Sequence, residues 1–250
     1  MQTLNSAQVN ITKTDTPQDL AVAAFDLFIS QANITIAQKG VFNVAISGGN
    51  TPELFFKLLG QNPDVIKWEK VQLFWVDERC VPPDNDASNY ALALNTFLDK
   101  ISIPSENIHR MIGESCDYST AITEYENLIR DVFNLQPDQF PKFDFIVLGM
   151  GSDGHIGSLF PNSYALIDTN DLVTAVYLMD GSYNRMTLTH PVLRAAEHLV
   201  ILVSGEKKAH ILKEVMQTTP DEIRYPAHIL WPILSKVTWL VDSQAGKFIF

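Results

Sequence analysis

The chain has 250 residues, 46% of them hydrophobic and 19% charged, which is ordinary globular composition and excludes a disordered or collagen-like polypeptide. Lys and Arg number 18 against 29 Asp and Glu, a net charge of -11, which disfavours nucleic acid and anionic membrane as partners and leaves room for a small anionic ligand held by a few local cations. A chain of this length buries roughly 70–75% of its unfolded surface and needs no disulfide or metal to hold a core. Its first residues, MQTLNSAQVNITKT, lack the basic-then-apolar build of a signal peptide, and no apolar run is read as reaching the ~18 residues of a membrane span. The expectation is a cytoplasmic protein in which Cys80 and Cys116 are free thiols.

In chain order, Thr16 and Pro17 open a helix that closes near Gly40, with a hydroxyl cap, an initial proline and a terminal glycine. Phe42–Ile46 is an apolar run too short for a helix and reads as a buried strand. After SGGN, a second helix is expected from Thr51 and Pro52 to Gly60. Val71–Val76 is the next strand, followed by a loop, DERCVPPDNDASN. Helices are expected at Tyr90–Leu98 and Ser119–Phe133, and a strand at Phe143–Leu148 that runs into GMGSDGH. LVTAVYL, RMTLT, HLVILVS and VTWLV are further strands, with a helix from Gly205 to Met216 between the last two. No internal repeat or linker interrupts this order, so one α/β domain over residues 1–250 with a mainly parallel sheet is the expected architecture. Ligands of open α/β sheets bind outside the carboxyl ends of the strands, which directs attention to the loops after Ile46, Val76 and Leu148.

Each loop carries groups with two readings. Ser47, Gly48, Gly49, Asn50 and Thr51 join a strand to a helix, so they form either an anion cradle or a plain glycine turn. Ser47 in AISGG also approaches a nucleophile elbow, though Gly49 and Asn50 delay the helix such an elbow needs. GMGSDG at Gly149–Gly154 has G-x-G-x-x-G spacing, but Gly157 and Pro161 interrupt the helix a dinucleotide fingerprint should open. His155 in the same turn suits acid–base work near neutral pH, with Asp153 placed to orient it. Asp77-Glu78-Arg79 is either a solvated charge run or a source of an oxyanion-stabilising arginine. Arg185 and Lys208 are single cations that read as surface residues when taken alone. The six histidines, His109, His155, His190, His198, His210 and His228, show no metal-ligand spacing.

Together SGGNTP, WVDERCVP with SNY downstream, LGMGSDGHIGSLFP, RMTLT and GEKKA resemble the 6-phosphogluconolactonase family in type, order and spacing across nearly the whole chain. The resemblance implies a three-layer, Rossmann-like sheet with helices on both faces, on the scaffold shared with glucosamine-6-phosphate deaminase. It implies a sugar-phosphate lactone substrate, a product in the oxidative pentose phosphate route, and neither metal nor organic cofactor. The protein is expected as a monomer or small homo-oligomer. By position, His155 would activate water and Arg79 would meet the oxyanion, with Asp77 and Asp153 as polar supports. Ser47, Gly48, Gly49, Asn50, Thr51, Arg185 and Lys208 would hold the phosphate. Asn50 stands where the family more often has Ser or Thr, and Ile156-Gly157 where Thr-Ala is commoner. Two rivals are a sugar-phosphate isomerase or deaminase and a non-catalytic sugar-phosphate sensor. The deaminases carry a glutamate five residues after the histidine, where this chain has Phe160, and a sensor could dispense with His155, which is present.

Overall fold

The computed structural model describes residues 9–179 and 181–250. Residues 1–8, part of the stretch on which the signal-peptide expectation rests, lie outside the described residues. Ten strands and six α-helices are described. The strands are β1 (Asn10–Thr14), β2 (Phe42–Ile46), β3 (Val71–Trp75), β4 (Asp77–Arg79), β5 (Ile108–His109), β6 (Phe145–Gly149), β7 (Val173–Val176), β8 (Arg185–Leu188), β9 (Leu199–Val203) and β10 (Val237–Asp242). The helices are α1 (Pro17–Lys39), α2 (Asn50–Gln61), α3 (Asn89–Thr96), α4 (Tyr118–Phe133), α5 (His190–Ala195) and α6 (Ala209–Gln217).

Seven strands form one sheet in the order β1-β10-β9-β6-β2-β3-β5, with every pair parallel. From β2 the chain moves outward through β3 to β5, then returns to the other side of β2 as β6 and continues through β9 and β10. The connections after β2 and β6 therefore lead apart, and a crevice opens between them at the carboxyl end of the sheet. Helices cover both faces. Phe42 packs on Phe28 of α1 with ring centroids 5.5 Å apart, whereas Phe74, pointing the other way, packs on Phe133 of α4 at 5.8 Å.

The ends of α1 are set by local chemistry. Thr16 accepts from the Asp19 backbone N–H and Asp19 accepts from the Thr16 backbone N–H, both at 3.1 Å, forming a capping box, and Gly40 closes the helix by donating to the Ile36 carbonyl at 2.9 Å. The expectation that no segment reaches membrane-spanning length needs correction: α1 is long and apolar enough to cross a bilayer by length and composition. In this fold Leu20, Ala21, Ala24, Phe28 and Ala32 of α1 are buried in the core beside the sheet.

Other boundaries shift for physical reasons. The second helix begins at Asn50 with Gly49 as its cap residue, so Thr51 lies inside the helix rather than opening it. The segment expected as a loop after Val76 begins with β4, which joins β8 and β7 in a separate antiparallel sheet of order β4-β8-β7. LVTAVYL and RMTLT thus leave the parallel sheet, and the Leu188 N–H tethers the small sheet to the large one through the Val76 carbonyl at 2.7 Å. The last expected helix starts as a 3-10 turn over Glu206–Lys208 before α6. Strands β1 and β5, helix α5 and the 3-10 segment Pro226–Lys236 are additions to the expected elements.

Phe28 meets Phe42, Phe55 and Phe145 at 5.5, 5.4 and 5.8 Å, so it joins α1, α2, β2 and β6 at the centre of one layer. Phe28→Ala is expected to cost about 3–5 kcal/mol in urea unfolding, the range for an aromatic deletion in a packed core. Val22→Ala, on the exposed face of α1, should remain within about 0.5 kcal/mol of the parent.

Candidate active site

A cleft of about 240 Å³ opens at the divergence of β2 and β6. Its lining contains ten of the eleven residues singled out from the sequence: Ser47, Gly48, Gly49, Asn50, Thr51, Asp77, Arg79, His155, Arg185 and Lys208. Asp153 is the exception and stands behind His155. The three loops expected to carry chemistry do converge here, joined by residues from β8 and from the turn before α6.

His155 is held from two sides. Its Nδ1 lies 2.6 Å from Asp153 Oδ1, and the same carboxylate oxygen accepts from the His155 backbone N–H at 3.1 Å. An ionised carboxylate only accepts, so Nδ1 carries the proton, and in the neutral ring Nε2 is then left with its lone pair. Phe160 packs on the ring at 4.4 Å between centroids, with an angle of 47° between the planes. Burial tends to raise the Asp153 pKa, but the hydrogen bond and charge of His155 outweigh it and hold that carboxyl below its ordinary value.

The turn that carries His155 is not a dinucleotide fingerprint. After β6 the backbone folds back on itself: the Gly151 N–H donates to the His155 carbonyl at 2.8 Å and the Gly154 N–H to the Gly151 carbonyl at 3.2 Å. The turn opens no α-helix, and the Ala227 N–H fastens the Gly154 carbonyl at 3.0 Å. Gly151 is required by proximity, since a Cβ there would overlap the His155 ring and approach Asp153 Oδ1 to 2.7 Å.

Opposite this turn, Gly49 caps α2 without a side-chain hydrogen bond, so the helix N-terminus faces the cleft with unclaimed N–H groups. A Cβ on Gly48 would overlap Asn89 Oδ1, which explains the glycine at that point of the loop. Ser47 is no nucleophile elbow, because its hydroxyl donates to Asp77 Oδ1 at 3.1 Å and has no histidine partner. Asp77 Oδ2 accepts from the Ser158 hydroxyl at 2.7 Å, so one buried carboxylate ties the glycine loop to the His155 turn.

Three cations line the cleft. Arg79 and Arg185 are direct cross-strand partners on β4 and β8, a pairing of like charges that destabilises a sheet unless something answers it. Arg79 donates from Nη1 to the Ala87 carbonyl at 2.5 Å, and its Nε is buried without a partner among the described residues. Arg185 donates to the carbonyls of Tyr183 and Asn184. Lys208 ends the turn after β9. That turn is fixed by buried Asp242, which accepts from the Gly205 N–H at 3.0 Å and from the Ser204 hydroxyl at 2.6 Å. Burial lowers the Lys208 pKa, and the charge of Asp153 partly opposes that.

The sequence left some groups unassigned. Asn89 in SNY, Ser158 in SLFP and Thr187 in RMTLT carry no chemical signal of their own in the sequence, and Thr187 accepts from the Ser158 N–H at 3.2 Å. Glu78 is buried rather than part of a solvated charge run. Cys80 and Cys116 are free, and burial pushes the Cys80 thiol up to about 11, which makes it a poor nucleophile. Among the described residues no group of three or more His, Cys, Asp or Glu is placed to hold a metal.

The family described as glucosamine-6-phosphate isomerases/6-phosphogluconolactonase matches residues 15–239. A 6-phosphogluconolactonase of Nostoc sp. is 35% identical over 227 residues, covering 91% of this chain and 92% of that protein. One of Synechocystis sp. is 39% identical over 212 residues, covering 85% and 86%. The crystal structure of 6-phosphogluconolactonase from Thermotoga maritima superposes with a TM-score of 0.80 at 26% identity, covering 93% of this chain and 99% of that one.

The close approach at Gly151 gives a direct test of the His155 geometry. Gly151→Ala is expected to retain the parent's circular dichroism spectrum while displacing the imidazole. A displacement near 1 Å costs on the order of 10²-fold in turnover. Unchanged turnover in this variant would show that the ring position does not matter.

Proposed function

The chain belongs to the glucosamine-6-phosphate isomerase/6-phosphogluconolactonase family, and from that premise we propose how its cleft hydrolyses 6-phospho-D-glucono-1,5-lactone to 6-phosphogluconate in the oxidative pentose phosphate route. The observation that carries the reading is the Asp153–His155 pair, which engages Nδ1 and leaves Nε2 outside the pair on an imidazole lining a cleft that also holds three cations.

The lactone is an activated ester with a dianionic phosphate at its far end. The phosphate sits at the N-terminus of α2 against the Ser47–Thr51 loop, with Arg185 and Lys208 on its flanks. Helix N–H groups and charge-assisted hydrogen bonds suit a phosphate better than any neutral group. Asn50 contributes its backbone N–H here and does not need the hydroxyl found in other members. This remote anchoring places the carbonyl carbon beside His155.

Nε2 of His155 takes a proton from water as the water oxygen attacks carbon 1. Asp153 stabilises the imidazolium through Nδ1–H, and the negative charge on the former carbonyl oxygen is met by Arg79. When the tetrahedral intermediate collapses, the bond from carbon 1 to the ring oxygen breaks. The imidazolium returns its proton to that oxygen, giving the open-chain acid. Asp77 stays out of the proton transfers, because both its oxygens are occupied by serine hydroxyls and its task is to hold the two loops in register.

Lactone hydrolysis needs one base, one oxyanion partner and water. Aldose–ketose isomerisation with amine loss needs proton transfers at several atoms, and Phe160, packed on the His155 ring, can take part in none of them. A cytoplasmic location, a monomer or small homo-oligomer, and one domain over residues 1–250 belong to the same reading.

Two measurements test it. With freshly prepared 6-phosphogluconolactone and subtraction of spontaneous opening, His155→Ala should lose roughly 10²–10⁴-fold in turnover while remaining folded. Activity within a few-fold of the parent would remove His155 from the mechanism. Arg185→Ala and Lys208→Ala should each weaken use of the phosphorylated lactone by about 1.5–3 kcal/mol, the worth of a hydrogen bond to a charged group. Unphosphorylated gluconolactone is the control, and equal losses on both substrates would show that these cations do not hold the phosphate.

A further inference from the structure

Glu78 lies between the two residues of β4 that line the cleft, and alternation along the strand turns it to the opposite side. It is 3% exposed. Burying a carboxylate is costly, and this one is held by uncharged donors. Oε1 accepts from the backbone N–H groups of Arg79 and Asn89 at 2.8 and 2.7 Å. Oε2 accepts from the Ser88 hydroxyl at 3.0 Å and the Tyr90 N–H at 2.8 Å. Asn89 and Tyr90 are the first residues of α3 and Ser88 is its cap, so the carboxylate fills a helix N-terminus, where a negative charge is favoured. Burial raises the Glu78 pKa, and these hydrogen bonds oppose that rise.

The bonds bring residues 87–90 against β4. Ala87, next to the clamped segment, supplies the carbonyl that receives Arg79 Nη1 at 2.5 Å. Asn89 returns a second tie, from its Nδ2 to the Asp77 carbonyl at 2.7 Å. The Arg79 main chain and the acceptor that directs its guanidinium are thus both fixed by the neighbouring glutamate. We propose that Glu78 is a positioning residue for Arg79: it sets the direction of the guanidinium at the reacting lactone without touching substrate. The proposal rests on the reading of Arg79 as the oxyanion partner.

A carboxylate is needed because each oxygen accepts two donors. An amide nitrogen accepts none, so Glu78→Gln loses two bonds whichever way the amide turns. The test is a double-mutant cycle on kcat/KM for 6-phosphogluconolactone, with each protein checked by circular dichroism and thermal unfolding. Arg79→Ala should lose roughly 10²–10³-fold, the range for one oxyanion donor, and Glu78→Gln about 10–10²-fold. The double variant should match Arg79→Ala to within about two-fold, because a residue that works through Arg79 has nothing left to position.

Losses that multiply in the double variant would overturn the proposal while leaving the Arg79 assignment intact. Glu78→Gln within about three-fold of the parent would do the same. Arg79→Ala near parental activity would instead refute the Arg79 reading and, with it, the proposal. If Glu78→Gln does not fold, Ser88→Ala removes one of the four bonds and enters the same cycle. A loss of a few-fold that disappears in the Arg79→Ala background is then expected, and a loss that persists there overturns the proposal.

Discussion

The carboxylate of Asp77 is the interaction on which the site depends. A parallel sheet whose connections diverge supplies a crevice, but divergence alone leaves its two rims independent. Asp77 removes that independence by accepting from Ser47 on one rim and Ser158 on the other, residues 30 and 81 positions away in sequence. A buried carboxylate is tolerated because both oxygens are bonded, and losing either serine would leave an acceptor without a partner in a dry place. The distance between the glycine loop and the His155 turn is therefore held by side-chain bonds rather than by loop stiffness.

The cleft gathers groups that an anion would satisfy. It combines a lysine whose pKa burial lowers, a helix N-terminus without a side-chain cap, and an arginine Nε without a partner among the described residues. Each is unfavourable alone, and one dianion relieves several together. The chain carries a net charge of -11, so its overall field does not draw an anion in, and attraction must come from groups within contact range. In the proposed mechanism, substrate recognition is local and depends on the phosphate meeting helix N–H groups and cations within contact range.

Much of this was legible in the sequence wherever the signal was local. The caps of α1, the apolar runs of β2, β3, β6, β9 and β10, and the glycine-rich loops after the central strands all depend on neighbours in the chain. Elements defined by a partner elsewhere were not legible. NITKT becomes β1 only because β10 offers a pairing edge, and it has little apolar character of its own. RMTLT looks like any strand, and nothing in it announces an antiparallel sheet over the end of a parallel one. Asp77-Glu78-Arg79 has the composition of a solvated run, but pairing with β8 buries it and gives its side chains alternate directions. Period-two alternation, invisible in a three-residue stretch, is what makes Asp77 and Arg79 face the cleft while Glu78 faces α3.

The two glycine-rich loops show why spacing alone does not assign a task. Gly149–Gly154 has the spacing of a dinucleotide-binding turn, and SGGN does not. What decides the matter is the use of the backbone N–H groups. In the first loop Gly151 and Gly154 donate internally, the chain turns back, and the glycines serve to bring the imidazole close to the main chain. In the second, the N–H groups open a twelve-residue helix and remain unclaimed by any capping side chain. In the proposed mechanism, anion binding falls to the loop with spare donors, and acid–base chemistry to the loop whose donors are consumed in rigidity. A base must keep its direction through proton transfer and an anion site must keep donors free, so one loop could not have done both.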